Sequence, residues 1–211
     1  MVVILINESP SLPLETSLNS YSYTTDAALW DDFLEGSKQA YAYLYSRYAP
    51  TLYNYGYKIA QNREVTEDCL QDLFLTILET RERLGRTDSI KFYLMRALRR
   101  DIVRKLTNEQ RFNHELDTLD FTIEFYYEPT WLDRQISREQ STLLLQELNN
   151  LPARQKEALF LKYFDNLSYE EIAGVMGIEQ TSVYKIVYKA IASLQKRMPT
   201  HIVFLLLALI R

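Results

Sequence analysis

Glycine and proline are scarce in this chain, 5 and 6 of 211 residues. Few positions can therefore take a left-handed turn or interrupt a helix, which disfavours folds built from many tight hairpins. A single cysteine, Cys69, excludes an internal disulfide, and the two histidines, His114 and His201, offer no metal cage. No cofactor is expected. No apolar run reaches the roughly 18 residues of a membrane-spanning helix, so stable membrane insertion is not expected. The opening MVVILINESP has no basic residue before its apolar run and does not read as a signal peptide. What remains is 47% apolar and 25% charged, the balance of a folded, mostly helical protein, expected to be soluble and cytoplasmic.

The net charge of −4 argues mildly against a nucleic-acid binder until its distribution is considered. Residues 1–27 carry no basic residue, and residues 107–140 carry eight acidic against three basic ones. The blocks 28–106 and 141–197 are slightly basic. These shifts divide the chain into an N-terminal extension (1–27), a helical domain (28–106), an acidic aromatic linker (107–140), a second helical domain (141–197) and an apolar tail (198–211).

In the first block Trp30, Phe33, Ala40, Leu44 and Tyr48 recur at helical spacing. Pro50 suits the first turn of a new helix over Thr51–Gln61. A third helix is expected from Val65 to Arg83, with Cys69, Leu70, Leu73, Phe74 and Ile77 inward, and a fourth over Ser89–Leu106 after a break at Gly85. Seven tyrosines between Tyr41 and Tyr57 fit the core and its margin, with hydroxyls facing water, better than a strand or a base-stacking platform.

The fourth helix, IKFYLMRALRRDIVRKL, holds six basic residues against Asp101. Leu94 and Leu98 mark its buried side, and Arg96, Arg99 and Arg100 cluster within about 100° opposite. A solvated face would also look this way. Three adjacent guanidiniums repel one another and favour an anion, with phosphate the obvious one.

In the second domain, LSYEEIAGVMGIEQTSVYKIVYKAIASLQKR places Ser168 and Glu171 at the spacing of a capping box. Ile172, Ala173 and Met176 face inward, and Gly177 allows a sharp turn. A further helix begins near Glu179 or Gln180, with Val183, Val187, Ala190 and Leu194 on one face. Thr181, Tyr184, Lys185 and Tyr188 share another face, with Lys189 at its edge. This is a helix-turn-helix whose second helix presents hydroxyl, aromatic and ammonium groups suited to the major groove.

Four stretches, WDDFLEGSKQAYAYLYSRYAPTLYNYGYKIA, EDCLQDLFLTILE, IKFYLMRALRRDIVRKL and LPARQKEALFLKYFDNLSYEEIAGVMGIEQTSVYKIVYKAIASLQKR, together resemble a bacterial extracytoplasmic-function sigma factor of the sigma-70 family. The resemblance covers about 28–197 and implies an all-α fold. A four-helix region-two-like bundle and a region-four-like helix-turn-helix domain would be joined by the acidic linker. It further implies core RNA polymerase, promoter DNA and an anti-sigma factor as partners, and no enzymatic activity. Glu67, Asp68, Gln71, Asp72 and Phe74 would dock on polymerase. The loop Arg86, Thr87, Asp88 and Ser89 would hold a flipped base, and Arg96, Arg99, Arg100 and Arg104 would meet the upstream part of the minus-ten element. Thr181, Ser182, Tyr184, Lys185, Tyr188 and Lys189 would read the minus-thirty-five element. The chain departs from the family pattern at Tyr93, where Trp is usual, at Arg100, where Asn is usual, and at Glu179, where a capping Ser is common.

A stand-alone helix-turn-helix regulator is the alternative. It accounts for 151–197 but leaves EDCLQDLFLTILE and the arginine helix without a role. The apolar tail, Ile202–Ile210, would span only about 14 Å as a helix and is expected to pack on the chain or a partner.

Overall fold

The structure, a computed structural model, describes residues 23–110, 121–122, 143 and 146–199. The expected N-terminal extension, most of the linker and the apolar tail from Thr200 onward fall outside the described residues. Among the described residues the secondary structure is entirely helical.

The first domain is built from α1 (Asp26–Leu34), α2 (Lys38–Ala60), α3 (Arg63–Glu79) and α4 (Ile90–Gln110), with a 3-10 turn at Arg81–Arg83. Side-chain oxygens start the first three. Thr25 accepts from the Ala28 N–H at 3.2 Å, Ser37 from Ala40 at 3.1 Å and Asn62 from Val65 at 3.1 Å. Each satisfies a donor that a helix N-terminus otherwise leaves orphaned. Trp30, Phe33, Leu44, Leu52, Tyr55, Phe74, Ile77, Leu94 and Leu98 fill the space between the helices.

Helix α2 runs straight through Pro50, so no new helix begins at Thr51. Proline cannot donate to the Ser46 carbonyl, an interior penalty of about 3 kcal/mol. Tyr48, Ala49, Leu52 and Tyr55 beside it are all buried, and each large apolar side chain contributes about 1.5–3 kcal/mol. The chain breaks earlier instead, at Glu35–Ser37. Helix α3 likewise stops at Glu79 rather than Arg83, and α4 continues to Gln110 rather than Leu106.

The tyrosine cluster lies on α2 as expected, but three of its hydroxyls bond to protein rather than facing water. Tyr41 donates to the Phe74 carbonyl (3.2 Å), Tyr48 to Asp26 (2.7 Å) and Tyr55 to Glu157 (2.8 Å).

The second domain contains α5 (Ala153–Leu159), a π-helical turn at Phe160–Phe164, α6 (Tyr169–Met176) and α7 (Gln180–Arg197). The capping box is present. Glu171 N–H donates to Ser168 Oγ at 3.1 Å, and Ser168 N–H donates to Glu171 Oε2 at 2.8 Å. Gly177 ends α6 at φ +65°, a conformation that costs glycine nothing sterically. Glu179 precedes α7 without a side-chain capping bond. Ile172, Val183, Val187, Ala190 and Leu194 form the core.

The two domains are in contact. Helix α6 packs against α4 at Gly174, where an added Cβ would lie 2.7 Å from the Phe92 ring. Phe160 stacks on Tyr55 with centroids 6.3 Å apart, and Phe121 from the middle segment packs beside both. The Thr122 N–H donates to the Lys58 carbonyl at 3.2 Å.

Candidate nucleic-acid interface

On α7 the apolar positions Val183, Val187, Ala190 and Leu194 are buried. Thr181, Tyr184, Lys185, Tyr188 and Lys189 therefore emerge together on the exposed side, while Ser182 is half-buried. Tyr188 is 76% exposed, an unusual cost for an aromatic ring unless it meets a partner. Tyr184 is held in place. Its ring stacks on Tyr169 with centroids 4.2 Å apart and planes 28° apart, and Lys162 Nζ lies 4.8 Å from the other ring's centroid. Tyr169, at the first position of α6, went unnoticed in the sequence. The contact follows from the helix-turn-helix crossing and has no local signature.

Helix α4 divides its basic residues between two faces. Arg96, Arg100 and Arg104, four residues apart, form an exposed stripe. Asp101 pairs with Arg100 (3.6 Å) and Arg104 (3.1 Å), while Arg96 has no ion pair among the described residues. Arg99 does not join this cluster, contrary to the expectation. Its side chain is 18% exposed and bonds to Glu157 of α5 through both carboxylate oxygens, at 2.6 and 3.1 Å. Burial opposes the Arg99 charge, but Glu157 more than compensates and holds its pKa above the ordinary value. The sequence showed no partner for Arg99 because Glu157 lies 58 positions away.

The loop before α4 is tied down on both sides. Gly85 C=O accepts from Trp30 Nε1 at 2.9 Å, and Asp26 accepts from the Ile90 N–H at 3.3 Å. Arg86 and Asp88 are exposed, and Arg86 pairs with Asp31 at 3.2 Å. Thr87 and Ser89 are half-buried, and the Ser89 hydroxyl donates to Glu171 of α6 at 2.8 Å. Tyr93 lies edge-on to Trp30 with centroids 5.3 Å apart.

On α3, Asp68, Gln71 and Asp72 are exposed; Asp68 accepts from Lys105 at 2.8 Å. Glu67 is half-buried and paired with Arg63 at 2.8 Å. Phe74 is removed from this surface: it is 2% exposed and meets Tyr45 edge-on at 4.7 Å. In its place the structure exposes Leu75 (53%) and Leu78 (40%) beside the acidic stripe. Leu75 sits one helical turn from Gln71, out of phase with Leu70, Leu73 and Ile77, and that phase was the readable signal.

Among the described residues no cluster of His, Cys, Asp and Glu is placed to hold a metal ion, and no helix is long and apolar enough to cross a membrane. Cys69 is buried, and burial pushes its thiol pKa up, away from a reactive thiolate.

Two family models match the chain, Sigma-70 region 2 over residues 44–112 and Sigma-70, region 4 over residues 141–194. Among curated proteins, the ECF RNA polymerase sigma factor BldN of Streptomyces coelicolor is 26% identical over 168 residues. That match spans 78% of this chain and 62% of the relative, less than two thirds of its length. The RNA polymerase sigma factor YlaC of Bacillus subtilis is 26% identical over 157 residues, covering 74% of this chain and 90% of the relative. Two solved structures share the fold. CnrH in complex with the cytosolic domain of CnrY aligns at TM-score 0.54 and 17% identity, over 81% of this chain and 95% of CnrH. The sigma factor RpoE in complex with the anti-sigma factor NepR, from Bartonella quintana, aligns at TM-score 0.52 and 21% identity, over 70% and 89%.

Proposed function

The chain belongs to the sigma-70 family, as an RNA polymerase sigma factor of the extracytoplasmic-function type, and from that premise we propose that it binds core RNA polymerase and directs it to specific promoters. The observation that carries this reading is the co-occurrence of three distinct surfaces on one chain. They are the acidic and apolar face of α3, the arginine stripe of α4 and the exposed hydroxyl-aromatic-lysine face of α7.

Each surface has a chemical task in this account. Asp68, Gln71 and Asp72, with Leu75 and Leu78, present a polar patch around an apolar centre, the composition of a specific protein interface. That patch docks on polymerase. Arg96, Arg100 and Arg104 neutralise phosphates and set register without reading sequence. Thr181, Ser182, Tyr184, Lys185, Tyr188 and Lys189 read base edges of the upstream element, where a well-made contact discriminates by about 1–3 kcal/mol. Arg86, Thr87, Asp88 and Ser89 receive an unstacked base beside Tyr93, which offsets the few kcal/mol that unstacking costs. Arg99 and Ser89 join the DNA face only when released from Glu157 and Glu171.

The protein performs no bond chemistry in this reading: its work is binding energy, exerted in the cytoplasm where polymerase and promoter meet. An anti-sigma factor is proposed as a regulatory partner, as NepR is for its sigma factor. A stand-alone regulator is less well supported, because it gives the region 2 match and the α3 patch no role.

The test is transcription in a purified system. Adding the chain to core polymerase should produce defined start sites on fragments of the source genome that core alone does not use. Specific DNA binding with no change in the transcripts made by core would instead favour the stand-alone regulator.

A further inference from the structure

The outward face of α7 is defined by what it leaves out. The commonest base-specific contact in the major groove is a guanidinium on the O6 and N7 of guanine, and carboxylates accept from the cytosine amino group. Residues 180–190, QTSVYKIVYKA, hold neither an arginine nor an acid. The one arginine of α7, Arg197, lies in its last turn and is paired with Glu147 at 3.0 Å. Gln180, Thr181, Lys185 and Lys189 supply polar groups on the exposed side, and between them stands a phenol ring, Tyr184.

That ring is already fixed. It stacks on Tyr169, the first residue of α6, with centroids 4.2 Å apart, yet remains 49% exposed. Tyr169 is itself held. It is half-buried, and Lys162, whose ammonium donates to the Leu167 carbonyl at 3.2 Å, stands 4.8 Å from its centroid. Tyr188, one turn further on and 76% exposed, has no ring beneath it among the described residues. Ordering Tyr188 on DNA therefore costs rotamer freedom that Tyr184 has given up in advance.

A ring in the N-terminal half of a recognition helix reaches base edges. The apolar group that those edges present in the major groove is the C5-methyl of thymine. We propose, resting on the reading of α7 as the helix that meets the upstream element, that Tyr184 selects thymine at one position of that element by packing on its methyl group. Tyr169 is the positioning residue that holds the ring for this contact. Cytosine at the same place would lack the methyl and would set its amino donor against the face of a hydrocarbon ring, where it finds no acceptor.

The experiment removes the methyl and nothing else. Randomised duplexes are selected with the full chain assembled on core polymerase and, in parallel, with the full chain alone, since the α7 face is exposed without a partner. Each thymine of the selected sequence is then replaced singly by deoxyuridine, which keeps every hydrogen-bonding group. At one position the replacement should weaken binding about fourfold, the effect of one buried methyl-sized group. Tyr184→Ala should bind thymine and deoxyuridine alike at that position, whereas Tyr184→Phe, which keeps the ring, should retain the fourfold ratio. Tyr169→Ala should bring the ratio toward one, and Tyr169→Phe should restore it. Should Tyr184→Ala lose helix content by circular dichroism, Tyr184→Gln takes its place with the same expectation. A selected sequence without thymine, deoxyuridine tolerated at every position, or a methyl effect that survives the loss of the Tyr184 ring would overturn the proposal. A preferred sequence recovered by the chain alone, with no binding to core polymerase, would count against the polymerase reading, and the deoxyuridine scan would still judge Tyr184. No preferred sequence in either selection would overturn both.

Discussion

Substituting Gly174 by alanine should have opposite effects in two backgrounds. Gly174 lies inside α6, where alanine is preferred over glycine by about 0.5–1 kcal/mol through reduced backbone entropy. In the wild-type chain, however, the new Cβ would stand 2.7 and 2.8 Å from two carbons of the Phe92 ring, against ordinary contacts of 3.4–4 Å. The ring, half-buried on α4, would have to retreat by roughly 1 Å, and overpacking of this kind costs about 1–3 kcal/mol. The wild-type background should therefore lose up to about 2 kcal/mol. With Phe92→Ala already in place the clash disappears, and Gly174→Ala should gain the propensity term of about 0.5–1 kcal/mol. The coupling energy between the two sites would be about 1–3 kcal/mol, measured as a double-mutant cycle in urea unfolding. At this chain length, 1 kcal/mol moves the thermal midpoint by about 2–4 °C, which is readily resolved. Equal stabilisation in both backgrounds would refute the reasoning, because it would mean that α4 and α6 are not packed together in solution.

The capping box gives a second expectation: Ser168→Ala should destabilise the second domain by about 1 kcal/mol, read from chemical denaturation. Glu171 supplies a pH dependence. Burial would raise its pKa, but the Ser168 N–H and the Ser89 hydroxyl outweigh that and hold it below the ordinary value of 4.5. Its stabilising contribution is therefore present above pH 4.5 and lost as pH falls through the lowered pKa. The stability advantage of wild type over Glu171→Gln should shrink on acidification across that window, and a constant difference would contradict the assignment. Tyr169→Ala, which removes the platform under Tyr184, should relax base preference at one position of the upstream element by about tenfold, while Tyr169→Phe retains it. A uniform loss across all positions would make Tyr169 merely structural. Arg96→Ala should lower DNA affinity alike on all sequences and reduce the salt slope by about 1, and an unchanged slope would leave Arg96 a solvated surface residue.

Much of this architecture was legible in local spacing. The inward faces of α3 and α7, the capping box and the turn at Gly177 all follow from periods and caps that act within one or two helical turns, and the inward positions from Trp30 to Tyr48 are buried as expected although the break at Glu35–Ser37 divides them between α1 and α2. Features decided by distant residues were not legible. Pro50 stays inside α2 because its neighbours are buried by other helices, which local propensity cannot register. Arg99 was grouped with Arg96 and Arg100 by helical angle, but a carboxylate from the other domain claims it. Phe74 reads as inward by its spacing and as a polymerase contact only by the family resemblance; Tyr41 and Tyr45 enclose it, as the spacing implies. The exposed Leu75 shows that phase, rather than residue type, marks the outward face of α3.

The central claim is that the α3 face delivers this chain to RNA polymerase. The most direct measurement is co-purification of the full chain with core polymerase, beside the exposed-face variants Asp72→Arg and Leu75→Glu and a control carrying Glu35→Gln and Glu82→Gln, exposed positions outside α3 whose combined charge change equals that of Asp72→Arg. Wild type and control should bind stoichiometrically, and both face variants should lose binding with helix content unchanged. Retention of polymerase by both face variants, or no binding by the folded wild-type chain, would contradict that claim.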